Sequence, residues 1–192
     1  MKQLPLSTKL FISDYELTSV TPVYRNVTNT GKTSMKSQQY QYYKGDVEVT
    51  CIGYSEVKKL IAFGQSLNGG MESIQLKLPV MKSNNTITGT PALSVAYNRN
   101  TDKVVINNFT GTASAGDYFN IQNDPKLYVL LTTGKAGDVF EIAPSLRKDQ
   151  IAGARISFDA VLTVKTDDED FSIKPNKTAK STQLTIKFTE DL

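Results

Sequence analysis

The chain has 192 residues, with 22 Lys and Arg against 19 Asp and Glu, 39% hydrophobic and 21% charged residues, one Cys and no His or Trp. Such a length predicts one domain, or one domain carrying a smaller second one, and the hydrophobic share is that of a globular chain. Without His there is no Ser-His-Asp triad, Cys-His dyad or His-ligated metal, and a lone Cys51 excludes an internal disulfide and a CxxC site. The net charge of +3 is too small to argue for a polyanionic partner. Lys2, Lys9, Asp14 and Glu16 interrupt any apolar run at the start, and no stretch approaches the roughly 20 apolar residues of a spanning helix, so folding in a cytoplasm is expected. The Asn-x-Ser/Thr sequons at Asn26, Asn84, Asn108 and Asn176 are chance matches in a chain rich in Asn and Thr.

In chain order, residues 9–17 place Phe11, Tyr15 and Leu17 at odd positions with Asp14 and Glu16 between them, the period of a half-buried strand. Pro22 and residues 26–34, with Gly31, read as a loop. Residues 38–54 open on alternating tyrosines and resume alternation at Val47, Val49 and Cys51. This predicts two strands, or one long strand with a bulge or turn at Gly45. A helix follows, with Ser55 as N-cap, Glu56 in the first turn and Asn68-Gly69-Gly70 as the stop. Val57, Leu60, Ile61, Gly64 and Leu67 make its apolar stripe, widened by Phe63, which should lie against a sheet. Residues 71–80 alternate through Ile74, Leu76 and Leu78 and end at Pro79, a strand.

Residues 82–91 are rich in Asn, Thr and Gly and read as a linker. Beyond them come short apolar runs at 104–106, 118–121, 126–132, 139–143 and a longer one at 154–164, separated by turn residues such as Asn123-Asp124-Pro125. Strands at this even spacing predict a small barrel or sandwich. Residues 144–147 could form a single helical turn, the acidic loop 167–170 precedes residues 171–174, 174–181 read as a polar loop, and Leu184, Ile186 and Phe188 alternate in a final strand. The fold class expected is mainly β: a β-sandwich or split-barrel domain with one packed helix, plus an inserted small β-barrel. The expected bounds are 1–81 for the first part, 82–160 for the inserted barrel and 161–192 for the closing strands.

Several groupings invite a chemical reading. The run Asp167 to Asp170 offers clustered oxygens for Ca²⁺, but without the Gly and Glu of an EF-hand loop it reads as a solvated turn. Asp117 and Asp138, each after a Gly, could pair as two carboxylates for acid/base work, although Gly-Asp is ordinary turn chemistry at strand entry and that reading is preferred. Tyr40, Tyr42 and Tyr43, flanked by Lys36 and Lys44, could stack nucleobases, but half-buried packing or a protein interface is preferred. Tyr97, Tyr118 and Tyr128 could form a sugar platform, weakened by the absence of Trp. Cys51 reads as an inert core or interface residue. No catalytic residue, metal ligand or cofactor site is assigned.

One resemblance rests on the order of elements. Residues 38–50 lead into a helix ending Leu60-Ile61-Ala62-Phe63…Leu67-Asn68-Gly69-Gly70, and a strand closing on Leu76-Lys77-Leu78-Pro79 completes the unit. In the second half come Ala115-Gly116-Asp117-Tyr118-Phe119-Asn120-Ile121, Lys126-Leu127-Tyr128-Val129, and Phe140-Glu141-Ile142-Ala143-Pro144-Ser145-Leu146-Arg147. Over residues 38–192 this pattern resembles the distal tail, or baseplate ring, proteins of tailed phages and prophages, with a shorter loop at 132–138. The resemblance implies a structural virion protein of the tail, without enzymatic activity, assembled in the host cytoplasm. It implies a homo-oligomeric ring, a hexamer, that contacts tail-tube and baseplate hub proteins while DNA passes through the lumen without specific binding, and no membrane contact. Residues 38–43 and 71–78 are then the expected ring contacts, with Tyr40, Tyr42, Tyr43, Ile74 and Leu76 as interface residues. Gln38, Gln39, Gln41 and Thr50 would suit a polar lumen wall. A neck or tail-completion connector and a carbohydrate-binding module of the tail tip are the alternative readings.

Overall fold

A computed structural model describes residues 2–27, 31–37, 40–83, 87–167 and 181–191. In chain order the strands are β1 (Lys2–Gln3), β2 (Leu10–Val20), β3 (Val23–Val27), β4 (Thr33–Ser37) and β5 (Tyr42–Ile52). Helix α1 (Tyr54–Ser66) and β6 (Ile74–Leu76) follow, then a 3₁₀ turn at Pro79–Met81. The remainder is β7 (Thr88–Leu93), β8 (Lys103–Thr110), β9 (Tyr118–Ile121), β10 (Leu127–Leu130), β11 (Val139–Ala143), β12 (Ile156–Ser157), β13 (Leu162–Thr166) and β14 (Ser181–Glu190). The protein is mainly β with one α-helix among the described residues, and it contains a nearly closed six-stranded barrel.

The chain divides into two compact units: Met1–Ser19 with Tyr42–Leu76 and Leu162–Leu192, and Val20–Gln41 with Lys77–Val161. The segment preceding β5 therefore groups with the barrel half, a discontinuity that a division at 81/82 and 160/161 does not contain.

The first unit is one sheet in the order β1-β6-β13-β14-β5-β2. Its longest ladder joins β14 to β5 antiparallel, from Ser181↔Ile52 to Thr189↔Lys44. Alternation along β5 buries Tyr43, Val47, Val49 and Cys51, and Ile186 and Phe188 of β14 bury likewise. The strand runs through Gly45 without a turn. A side chain there would place its Cβ 1.9 Å from the Glu16 carbonyl oxygen of β2, so glycine permits the approach of these two strands. In β2 the fully buried residue is Leu10, while Phe11 is exposed, and the buried side changes from even to odd positions between Ile12 and Tyr15.

Helix α1 starts at Tyr54 rather than after a capping Ser55. The N-cap position falls to Gly53 at φ 90° with no side-chain cap, and Glu56 sits in the first turn. Val57, Leu60, Phe63 and Leu67 bury the apolar face, leaving Ile61 at its exposed margin, and each buried large residue contributes about 1.5–3 kcal/mol of desolvation. Asn68, Gly69 and Gly70 all take positive φ, ending the helix where expected. The expected strand at 71–80 shrinks to β6, since Met71 is exposed and Pro79 begins a 3₁₀ turn.

The second unit holds the barrel, in the order β12-β9-β10-β11-β8-β7. An Ala92↔Arg155 bridge, with Leu93 N–H donating to the Ala154 carbonyl at 3.0 Å, brings β7 back beside the β12 end. Leu93, Val104, Ile106, Phe119, Tyr128, Leu130, Phe140 and Ile142 fill its interior, where Phe119 stacks on Tyr128 with centroids 5.6 Å apart. Residues 88–93 are thus strand rather than linker. The ladder shifts register between Gly89 and Ala92, which accommodates Pro91 in an edge strand. The long run at 154–164 splits into β12 and β13, which serve different units. No helical turn forms at 144–147; Leu146 is buried, and its N–H donates to the Thr101 carbonyl at 2.8 Å.

One device recurs four times in the barrel. Tyr97, Ala113, Gly134 and Gln150 each make an isolated bridge, pairing Tyr97 with Gln150 and Ala113 with Gly134. Three residues after each stands a residue of positive φ: Asn100, Gly116, Gly137 and Gly153. A turn bond closes each unit, from Thr101 N–H to Asn98, Asp117 to Ser114, Asp138 to Lys135 and Ala154 to Ile151, at 3.0–3.3 Å. Asn and Gly occupy the third turn position because they alone enter this region cheaply.

Candidate interaction surface

Strands β3 and β4 form a two-stranded antiparallel ribbon, a sheet of their own, from Val23↔Ser37 to Val27↔Thr33. Residues 26–27 and 33–34, expected in a loop, are therefore paired strand, while residues 28–30 lie outside the described residues. Turn-prone Asn, Thr and Gly residues obscure the alternation that Val23, Arg25 and Val27 carry. All five side chains of β3 are exposed, Val23 at 52%, Tyr24 at 67% and Val27 at 56%. A lone hairpin is marginal in water, and three large apolar or aromatic side chains left open on one strand gain from being covered.

Charge sets the same segment apart. Residues 17–45 contain no Asp or Glu, while Arg25, Lys32 and Lys36 lie in or beside the ribbon. With Lys44, the window carries four basic residues and no acidic one, in a chain whose net charge is +3. Strand β2 is the reverse case: Asp14 and Glu16 are exposed, and it holds no Lys or Arg. Their carboxylates are engaged locally, Asp14 Oδ1 accepting from Tyr15 N–H at 2.8 Å and Glu16 Oε1 from the Thr18 hydroxyl at 3.2 Å. Among the described residues β2 has a hydrogen-bonded neighbour, β5, on one side only.

The expected interface residues separate by burial. Tyr40 is 49% exposed and Tyr42 half-buried, while Tyr43 is 5% exposed with its N–H donating to Glu190 Oε2 at 3.0 Å. Ile74 and Leu76 are buried in the first sheet, on β6 between β1 and β13, and present almost no side-chain surface. Of the expected lumen residues, Gln38 and Gln39 lie outside the described residues. Gln41 and Thr50 are half-buried, and the Thr50 hydroxyl donates to Ser13 Oγ. The residues that strand alternation missed are Val23, Tyr24 and Val27 on the ribbon and the acidic edge of β2. The signal available was the acid-free window beside an acidic strand.

Other groupings resolve into structure. Asp117 Oδ2 accepts from Ser114 N–H and Asp138 Oδ2 from Lys135 N–H, each inside its own turn unit, at 2.8 and 2.7 Å. Tyr128 is fully buried and the Tyr97 hydroxyl accepts from Val105 N–H, so these rings offer no shared open platform with Tyr118. Burial pushes the Cys51 thiol up, and the nearby Glu56 carboxylate adds to this, which keeps it protonated and unreactive. Asp168 to Asp170 and residues 171–180 lie outside the described residues.

A polar hub lies inside the barrel. Asp124 accepts from the Tyr128 hydroxyl and from Gln150 Nε2, both at 3.0 Å, and from Lys126 N–H at 3.2 Å, while the Tyr128 oxygen accepts from Arg147 N–H. Burial, opposed by the Arg147 bond and reinforced by Asp124, pushes the Tyr128 hydroxyl well above the tyrosine range. Lys126 is 2% exposed and its ammonium donates to the Gln41 carbonyl at 2.8 Å. The hub ties turn, strand and following segment together, closed to solvent.

Among the described residues no three His, Cys, Asp or Glu side chains are grouped to hold an ion, and no helix is long and apolar enough to cross a membrane. No protein-family model matches the chain, and no curated protein matches it in sequence.

Proposed function

We propose that the protein is a structural subunit that assembles with itself into a ring, in the manner of the distal tail or baseplate ring proteins of tailed phages. The observation that carries the self-assembly is the β3–β4 ribbon, whose Val23, Tyr24 and Val27 are each more than half exposed. A heterologous contact repeated around an axis closes into a ring and covers such a surface on every copy. Tyr40, exposed in the same unit as the ribbon, is a further candidate contact. The phage-tail assignment rests on the motifs quoted above, and with it come tail-tube and hub partners, a place in the virion tail and a lumen through which DNA passes.

The test is the mass and shape of the purified protein. Light scattering behind size exclusion should give a multiple of the monomer that grows with concentration to a fixed value, and negative-stain images should show closed rings. A monomer at every micromolar concentration overturns the reading.

A further inference from the structure

We propose that the β3–β4 ribbon of one copy docks as added strands along the open edge of β2 in a second copy. This rests on the self-assembly reading and names the surfaces that would perform it. Both elements end a hydrogen-bonded array among the described residues: the ribbon is a two-stranded sheet, and β2 is the last strand of the first sheet. An unpaired edge is a row of N–H and C=O groups that pairs readily with another chain. Residues 10–18 of β2, the stretch that holds Asp14 and Glu16, already exceed the five of each ribbon strand in length.

Charge chooses the occupant. The ribbon segment is purely basic, through Arg25, Lys32 and Lys36, and β2 is purely acidic, through Asp14 and Glu16. Opposite charges facing across strands are favourable and like charges are not, so ribbon on β2 is attractive while ribbon on ribbon and β2 on β2 are repelled. That excludes contacts in which either element meets its own copy, and it fits the head-to-tail contact that a ring requires. The exposed Val23 and Val27 supply the apolar contact that charge alone lacks.

Charge reversal tests it. Arg25→Glu with Lys32→Glu should weaken assembly roughly tenfold or more, as should Asp14→Lys with Glu16→Lys. All four positions are exposed, and circular dichroism and melting temperature of each variant should match the parent. Mixing the two variants in equal amounts should restore assembly, because each ribbon then meets an edge of opposite sign, and the fourfold variant should assemble by itself. Unchanged assembly of the Arg25→Glu/Lys32→Glu protein overturns the proposal, and the same result with lost retention on duplex DNA would assign the ribbon to a polyanion. Weakened assembly without rescue by mixing overturns β2 as the docking edge. Should reversal prevent folding, Val27→Lys on the ribbon is the second probe, and undiminished assembly there also counts against the contact. A parent protein that stays monomeric fails the self-assembly reading itself, which separates that failure from failure of the edge assignment alone.

Discussion

The two units bury polar groups in different ways. In the first, donors reach buried carboxylates from distant segments: Glu56 takes a bond from Ser7, 49 residues away, besides one from Lys59, and Glu190 takes the N–H of Tyr43, 147 residues away. Its sheet is held by a long ladder between β5 and β14, which are distant in sequence. In the barrel, strands of two to eight residues are joined by the repeated turn unit, and a single carboxylate, Asp124, gathers two donors from its own segment, Lys126 N–H and the Tyr128 hydroxyl, and a third from Gln150, 26 residues away. The lesson is one of division of labour. Where strands are long, backbone pairing and apolar alternation suffice. Where they are short, positive-φ turn residues and a buried hub fix the register that the ladders are too brief to set.

The sharpest way to break this comparison is Gly45→Ala. The added methyl would lie 1.9 Å from the Glu16 carbonyl oxygen, and only a displacement of β2 from β5 can relieve it. A loss of more than about 3 kcal/mol is expected, at the top of the range for overpacking, since the obstacle is backbone and cannot rotate away. Hydrogen exchange should show lost protection in β2, β5 and β14 with β8 to β11 unchanged. Equal loss in the barrel would mean that the units unfold as one body.

That glycine shows how far the sequence carries. Alternation at Val47, Val49 and Cys51 predicts the strand, and Asn68-Gly69-Gly70 predicts the helix end, because burial on one face and a left-handed stop are local facts. Gly45 read as a break because its reason, the nearby Glu16 carbonyl, is 29 residues away. Likewise Gly89 and Pro91 suggested a linker, yet an edge strand with a register shift tolerates both. Ile74 and Leu76 alternate as an interface strand would, and alternation cannot tell a strand between two neighbours from one at an edge. The Gly-Asp turns were legible, whereas the ribbon, masked by Asn and Thr, was not. Asp124 belongs to an ordinary Asn-Asp-Pro turn until Tyr128 and Gln150 are seen converging on it.

The hub supplies the second prediction. Asp124→Ala leaves the Tyr128 hydroxyl, the Gln150 amide and Lys126 N–H buried without that acceptor, a cost of about 2–3 kcal/mol. Tyr128→Phe, which removes one bond to Asp124 and one from Arg147, should cost about 1 kcal/mol. Denaturant titration of both variants orders them. A Tyr128→Phe loss as large as that of Asp124→Ala would place the centre of the hub at the phenol instead of the carboxylate.

The smallest effect concerns the first unit and acid. The hydrogen bond from Lys59 holds the Glu56 carboxyl below its ordinary value of about 4.5, with burial opposing and the Lys59 charge, the Ser7 hydroxyl and Lys9 assisting. A carboxylate whose pKa is lower in the folded chain stabilises the fold fully above the unfolded value, and that stabilisation is lost as pH falls through the folded value. Glu56→Gln removes the titrating group but keeps the shape. Its melting temperature should fall less steeply than the parent's as pH drops below about 4.5, the ordinary value for this group, and run parallel to it above. Lys59→Met should likewise shrink the difference, because the first-named source of the shift is gone. Identical acid slopes in parent and Glu56→Gln would show that Glu56 contributes nothing there. The acid sensitivity would then lie outside this carboxyl, and Glu56 would serve the first unit only as a hydrogen-bonding partner of Lys59 and Ser7.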